Sequence, residues 1–172
     1  SFGPYYGFFA LYAKDLCYSG QATGWLIATG VMVEVVIFIF AGGLIKRFGF
    51  KSLLVFSIGL TALRWALLAY YADSLFFLLL SQMLHAFSFA MTHAASIHFI
   101  HVYFGKYFQS RGQVIYISVA FGLGGAGGGF IAGELWQQGQ GAELTFLFAS
   151  ISAIVSAICL LPITSKRMNG VA

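Results

Sequence analysis

The chain has 172 residues, of which 60% are hydrophobic, 18% aromatic and only 8% charged, with a formal net charge of +4. A soluble domain carries about 25% charged residues because its surface must face water, so this composition excludes a soluble globular domain. No basic–aromatic pattern accompanies the positive excess, which excludes nucleic acid as a partner.

In chain order, the apolar segments 1–17, 24–44, 52–72, 75–100, 113–136 and 143–163 are read as spanning helices, each of which needs roughly 20 residues. The first begins at Ser1 without a Met and reads as a clipped or processed front. No segment has the basic flank, short apolar core and small-residue cleavage site of a signal peptide. The alternating polarity of membrane barrel strands is absent, so helices must satisfy the backbone in lipid. The expectation is an all-α membrane protein, residues 1–172 forming a single bundle of six transmembrane helices with the lipid bilayer as its solvent.

In the first segment, "GPYYGFFALY", Tyr5, Phe9 and Tyr12 share a helical face, and Pro4 is placed to kink it. That face suits either an interfacial aromatic belt or the wall of a ligand cavity. Cys17 and Cys159 fall near opposite faces of the membrane, so neither a disulfide nor a thiolate metal site is expected.

The second, third and fourth segments each carry an ionisable group at depth. At about 1.5 Å per residue, Glu34 lies about 15 Å below Gly24, Arg64 about 12 Å below Ala72, and His85 about 15 Å below Leu75. An isolated charge there costs roughly 2.5–3.5 kcal/mol even on the lenient insertion scale. The economical arrangement has them facing the bundle interior, pairing with one another or meeting water. A Glu34–Arg64 ion pair that only fixes helix packing is one reading; a substrate or proton pathway is the other. In "LLSQMLHAFSFAMTH", Gln82, His85, Phe89, His93 and Ser96 fall within an arc of about 80°, a polar and aromatic stripe expected to line a cavity. Ser57, Thr61 and Arg64 repeat it more weakly at i, i+4, i+7. The histidines 85, 93, 98 and 101 include no i, i+4 pair and no His-Glu-x-x-His, so no metal site is expected, and no cofactor.

The fifth segment contains "GLGGAGGGFIAG", with Gly124 and Gly128, Gly125 and Gly129, and Gly129 and Gly133 four apart. In lipid such spacing lets helices touch backbone to backbone. A phosphate cradle is excluded because no strand precedes the glycines and no Lys follows them.

Charge placement sets the orientation. Lys46, Arg47 and Lys51, then Lys106 and Arg111, then Lys166 and Arg167 share one face of a six-helix chain, while Asp15, Asp73 and Glu143 lie on the other, with Lys14 the exception. Lys and Arg stay inside, so the N-terminus, loops 45–51 and 101–112 and the C-terminal tail are expected to be cytoplasmic.

The segment "GGLIKRFGFKSLL" resembles the loop motif of the major facilitator superfamily, matched at Gly43, Arg47, Gly49 and Lys51; Lys46 stands where the first half of such a carrier usually has Asp. Together with "VEVVIFIF", "LRWALL", "SQMLHAFSF" and "GPYYGFF", it resembles the phenylpropionate permease group, relatives of lactose permease. The resemblance implies the carboxy-terminal half of a twelve-helix carrier, a 3+3 inverted repeat whose partner is a missing N-terminal six-helix half, in a bacterial-type inner membrane. It implies proton-coupled symport of a small, aromatic carboxylate, with Glu34 and His85 coupling the proton and Arg64, Gln82, Phe89, His93, Tyr5, Phe9 and Tyr12 binding substrate. Lactose permease has a carboxylate three residues after its corresponding His; here that position is Ser88, which favours Glu34 for the proton. A sugar or nucleoside carrier and a non-transporting structural subunit are the alternatives. An intramembrane protease is excluded by the lack of a Gly-x-Ser-Gly or paired-Asp motif.

Overall fold

The computed structural model describes residues 1–163, and no strand occurs among them. The helices are α1 (Gly3–Asp15), α2 (Gly20–Phe48), α3 (Phe50–Tyr71), α4 (Leu75–Tyr116), α5 (Gly124–Trp136) and α6 (Ala142–Leu160), with a π-helical segment Ile117–Leu123 joining α4 to α5. Among the described residues, four helical stretches are long and apolar enough to cross a membrane: Gly20–Phe48, Phe50–Tyr71, Leu75–Gly139 and Ala142–Leu160. The helix in segment 1–17 has only 13 residues, about 20 Å of rise, and does not meet that length.

Local chemistry explains the boundaries. Pro4 sits in the first turn of α1, where its missing N–H has no helical acceptor to lose, so it starts the helix and does not kink it. Ser19 caps α2, its hydroxyl accepting from the Ala22 N–H at 3.1 Å. Between α2 and α3, Gly49 adopts φ 78°, a conformation that glycine enters without a Cβ penalty. The loop expected over 101–112 is instead helical on both sides of Gly105, where φ 62° and ψ 176° break α4. The stretch from Leu75 to Gly139 would be about 98 Å long if straight, far beyond a hydrocarbon core of about 30 Å. It folds back at Gly105: a Cβ on Gly112 would meet Ile100 at 2.8 Å and Phe104 at 2.7 Å.

α3 packs on α4 and α6, α2 packs chiefly on α4, and α1 lies against α5. The bundle has two distinguishable ends. At one, Lys51 Nζ donates to the Leu161 carbonyl at 2.7 Å and Phe50 stacks on Phe99 at 5.7 Å. This end holds Lys46, Arg47, Lys51 and the Gly105 break. At the other, Tyr12 donates to the Leu68 carbonyl at 3.2 Å and Trp136 packs near Tyr12 and Phe146. The Asp15 carboxylate lies 2.6 Å from where a Cβ on Gly139 would stand. Lys166 and Arg167 lie outside the described residues. Cys17 and Cys159 are free and exposed.

Candidate functional site

Arg64 projects from the middle of α3 and is fully buried. Its Nε, Nη1 and Nη2 have no hydrogen-bond partner among the described residues. What surrounds it is aromatic: the guanidinium carbon lies 3.6 Å from the Trp65 ring centroid, 5.1 Å from Phe2 and 5.2 Å from Tyr5. Ring faces carry negative potential, and a desolvated cation–π contact is worth about 2 kcal/mol. The rings therefore offset part of the burial penalty while consuming none of the guanidinium donors. An anionic group brought here finds those donors free.

The groups beside Arg64 come from α1 and α4. The Tyr5 hydroxyl donates to Gln82 Oε1 at 2.7 Å, and the Tyr5 ring lies 4.5 Å from His85. Gln82 Nε2 in turn lies 3.3 Å from Ser81 Oγ. His85 Nδ1, Trp65 Nε1 and Ser57 Oγ are also buried without partners. α2 packs directly beside this group at Gly30, where a Cβ would stand in ordinary van der Waals contact with Gln82 at 3.6 Å. An ion pair between Glu34 and Arg64 is not formed. Glu34 is half-exposed on α2, and α2 and α3 have little mutual contact because α2 packs chiefly on α4.

Next to this centre is a cavity of about 600 Å³. α4 supplies Phe89, Thr92, His93 and Ser96 to its wall, and α1 supplies Phe2 and Tyr6. The predicted stripe on α4 therefore divides. Gln82 and His85 are buried around Tyr5, while Phe89, His93 and Ser96 face the cavity. The two parts are joined by stacked rings, His85 on Phe89 at 5.7 Å and Phe89 on His93 at 6.0 Å. His93 Nδ1 lies 3.4 Å from the Tyr116 hydroxyl. On α3, Ser57 and Thr61 are buried in the bundle and do not line the cavity; the Thr61 hydroxyl donates to the Ser57 carbonyl at 3.0 Å.

The aromatic face of α1 also divides. Tyr5 reaches Gln82 and Arg64, whereas Phe9 and Tyr12 pack in the core formed with Trp65, Leu68 and Phe146. They stand behind the cavity, because it is the opposite face of α1 that opens onto it. The glycines of α5 serve two ends. A Cβ on Gly3 would meet the Gly128 backbone at 2.7 Å, a true backbone-to-backbone contact, while Gly133 stands against Phe8. Gly124, Gly125 and Gly129 line the cavity. In the loop motif, Gly43 is exposed, Arg47 lies 5.4 Å over the Phe48 ring, Gly49 makes the turn and Lys51 closes onto α6.

Sequence reasoning missed Phe2, Tyr6, Thr92, Tyr116 and Phe121 as cavity residues. Aromatic and hydroxyl side chains in an apolar run give no polarity contrast, although Phe2 and Tyr6 are four apart and share one helical face.

Residues 1–148 match the sequence profile of the MFS_1 like family. The chain is 33% identical over 151 residues to the probable 3-phenylpropionic acid transporter of Escherichia coli (strain K12). That match covers 87% of this chain and 39% of the relative, so the chain spans well under half of the curated protein it matches. No solved structure matches the chain significantly.

Proposed function

Because this chain belongs to the MFS_1 like family, within the major facilitator superfamily of transporters, we propose that it forms the carboxy-terminal six-helix half of a proton-coupled symporter for a small aromatic carboxylate. The fold-back of α4 at Gly105 supports six passes arranged as 3+3, with α1 as the first. A second half, supplied by another six helices, would cover the exposed apolar side chains of α5 and of the segment 117–123. The family is one of transporters, not enzymes, and its membrane-spanning helices make the chain an integral membrane protein. The basic end of the bundle at Lys46, Arg47, Lys51, Lys106 and Arg111 is assigned to the cytoplasm of a bacterial-type inner membrane.

The observation that carries this reading is the buried Arg64, whose three nitrogens have no partner among the described residues and which stands beside a cavity walled by aromatic rings. Charged hydrogen bonds are each worth about 1.5–3 kcal/mol, and a carboxylate can accept two from one guanidinium. Gln82 and Tyr5 hold the entrance to Arg64, and Phe89 and His93 supply stacking surface. Phe9 and Tyr12 fix α1 in place. Glu34 carries the proton, with His85 as relay: its carboxylate, half-exposed on α2, competes with the substrate for Arg64 when the helices shift, and protonation removes the competitor. The same reading takes the relative's substrate class as a guide.

The test is uptake into vesicles by the complete reading frame, with and without an imposed proton gradient. Gradient-driven accumulation of 3-phenylpropionate, lost in Glu34→Gln while exchange survives, is the expected result. Arg64→Met should cut uptake efficiency roughly 10–100-fold, the equivalent of one lost charged hydrogen bond. Intact accumulation in Glu34→Gln would remove Glu34 from proton coupling. A sugar taken up in preference to the acid would sink the carboxylate assignment.

A further inference from the structure

We propose that Phe2 occupies an aryl subsite of the protein: its phenyl ring sits where the ring of an arylalkanoate is held when the carboxylate meets Arg64. This deepens, and rests on, the carboxylate reading of the Arg64 site. Three rings from two helices converge on Phe2. Phe89 approaches at 5.6 Å and 75°, Trp65 at 6.1 Å and 73°, and His85 at 5.8 Å and 59°. Edge-to-face geometry of this kind is the preferred packing of a phenyl group, and the Arg64 guanidinium adds a cation 5.1 Å from the ring centroid. A ring, and not merely an apolar group, is what this surround specifies.

Phe2 is also the partition between two compartments. It lines the cavity, and it covers Arg64 together with Tyr5 and Trp65. A ligand entering from the cavity meets Phe2 before it meets the cation. The Phe2 carbonyl accepts from the Tyr5 N–H at 3.1 Å, so the backbone stays held while the ring swings away by rotation about its own side-chain bonds, without unwinding the helix. Gly3, pressed on the Gly128 backbone, holds the helix behind it in place. Once the ring swings out, a phenyl-shaped space continuous with the cavity opens beside free guanidinium donors. A phenyl group on a short carboxylate chain satisfies both at once, whereas an aliphatic acid of equal length satisfies only the cation. Phe2 therefore sets selectivity as an internal competitor for its own subsite.

The complete reading frame, purified and reconstituted, is compared as wild type, Phe2→Ala and Phe2→Leu. KM is measured for 3-phenylpropionate, a naphthyl analogue and hexanoate. Phe2→Ala should lower KM for the phenyl acid roughly three- to tenfold, the size expected when aromatic contacts are released to the ligand. It should admit the naphthyl acid and leave hexanoate little changed; Phe2→Leu should shift the same ratio less. An unchanged aryl-to-alkyl KM ratio in both variants overturns the subsite. Binding of fluorobenzene, followed by fluorine NMR, tests the subsite without transport. Saturable binding gained in Phe2→Ala over wild type supports it, and equal binding in the two overturns it. If fluorobenzene binds but no acid is taken up by any form, the carboxylate reading fails and the aryl subsite stands.

Discussion

α3 and α5 are both apolar helices, yet the bundle treats them in opposite ways. On α3, the run from Ser57 to Ala69 includes Ser57, Thr61, Ala62, Arg64, Trp65, Leu68 and Ala69, all buried. On α5 only Ala132 and Trp136 are buried, and the π-helical segment before it has no buried residue at all. Hydrophobicity does not account for the difference, because lipid tails are as apolar as leucine and do not drive helices together. Shape and polar links do. α3 offers large side chains that interlock with α4 and α6, and Ser150 of α6 donates to its Ala62 carbonyl at 2.8 Å. α5 offers glycines, which give close contact only where another backbone comes to meet them, at Gly3. The comparison marks α3 as the fixed frame and α5, with its π-helical neighbour, as the face left for the cavity. π-helical turns concentrate at functional positions, and here the turn borders the cavity through Ala120 and Phe121.

The largest test of that contrast is a matched pair of truncations. Trp65 has no exposed surface, stacks on Phe146 at 5.7 Å and lies 3.6 Å from the Arg64 guanidinium carbon. Trp65→Ala should cost about 3–5 kcal/mol of stability in detergent-solubilised protein, the range for a large aromatic removed from a packed core. Phe130 on α5 is 71% exposed, and Phe130→Ala should stay within about 0.5 kcal/mol. Thermal unfolding followed by size-exclusion recovery reads both, and equal losses would erase the distinction between frame and face.

Smaller, but sharper in its location, is Gly3→Ala. The added methyl would stand 2.7 Å from backbone atoms of Gly128 and Gly129, and a backbone cannot rotate aside as a side chain can. Overpacking of this kind costs about 1–3 kcal/mol, so a lowered unfolding temperature is expected, with α1 displaced from α5. Retention of full stability would show that α1 and α5 do not depend on that contact.

Much of this arrangement was legible from residue type and spacing. Uncharged runs gave the helical class, and the i, i+3, i+4 recurrence of Gln82, His85, Phe89 and His93 placed them on one face of α4. Four-residue glycine spacing marked α5 for close contact, and the structure finds that contact at Gly128. What spacing could not give was the partner of each face. Depth put Glu34 and Arg64 at one level, but equal depth says nothing about which helices adjoin, and α2 turned out to pack on α4. The same limit applies to α1: periodicity grouped Tyr5, Phe9 and Tyr12, while neighbours decided that Tyr5 reaches the cation and the other two pack behind it. Gly105 escaped notice as a fold-back point because a single glycine in a polar stretch looks like any loop residue. Its positive φ is a property of the backbone path.

The smallest effect separates the glycines of α5 from one another. A Cβ on Gly127 would meet nothing within 4 Å, so no neighbour forbids Gly127→Ala, and glycine is less favourable than alanine in a helix interior by about 0.8–1.0 kcal/mol. If α5 behaves as an independent face, Gly127→Ala should leave the protein unchanged or stabilise it by up to about 1 kcal/mol, with uptake by the complete carrier retained. The reverse outcome, stable protein with uptake lost, would place Gly127 against a surface that meets α5 only during the transport cycle. The face would then be a sliding contact and not an open one, which a cross-linking series between α5 and the proposed second half could trace residue by residue.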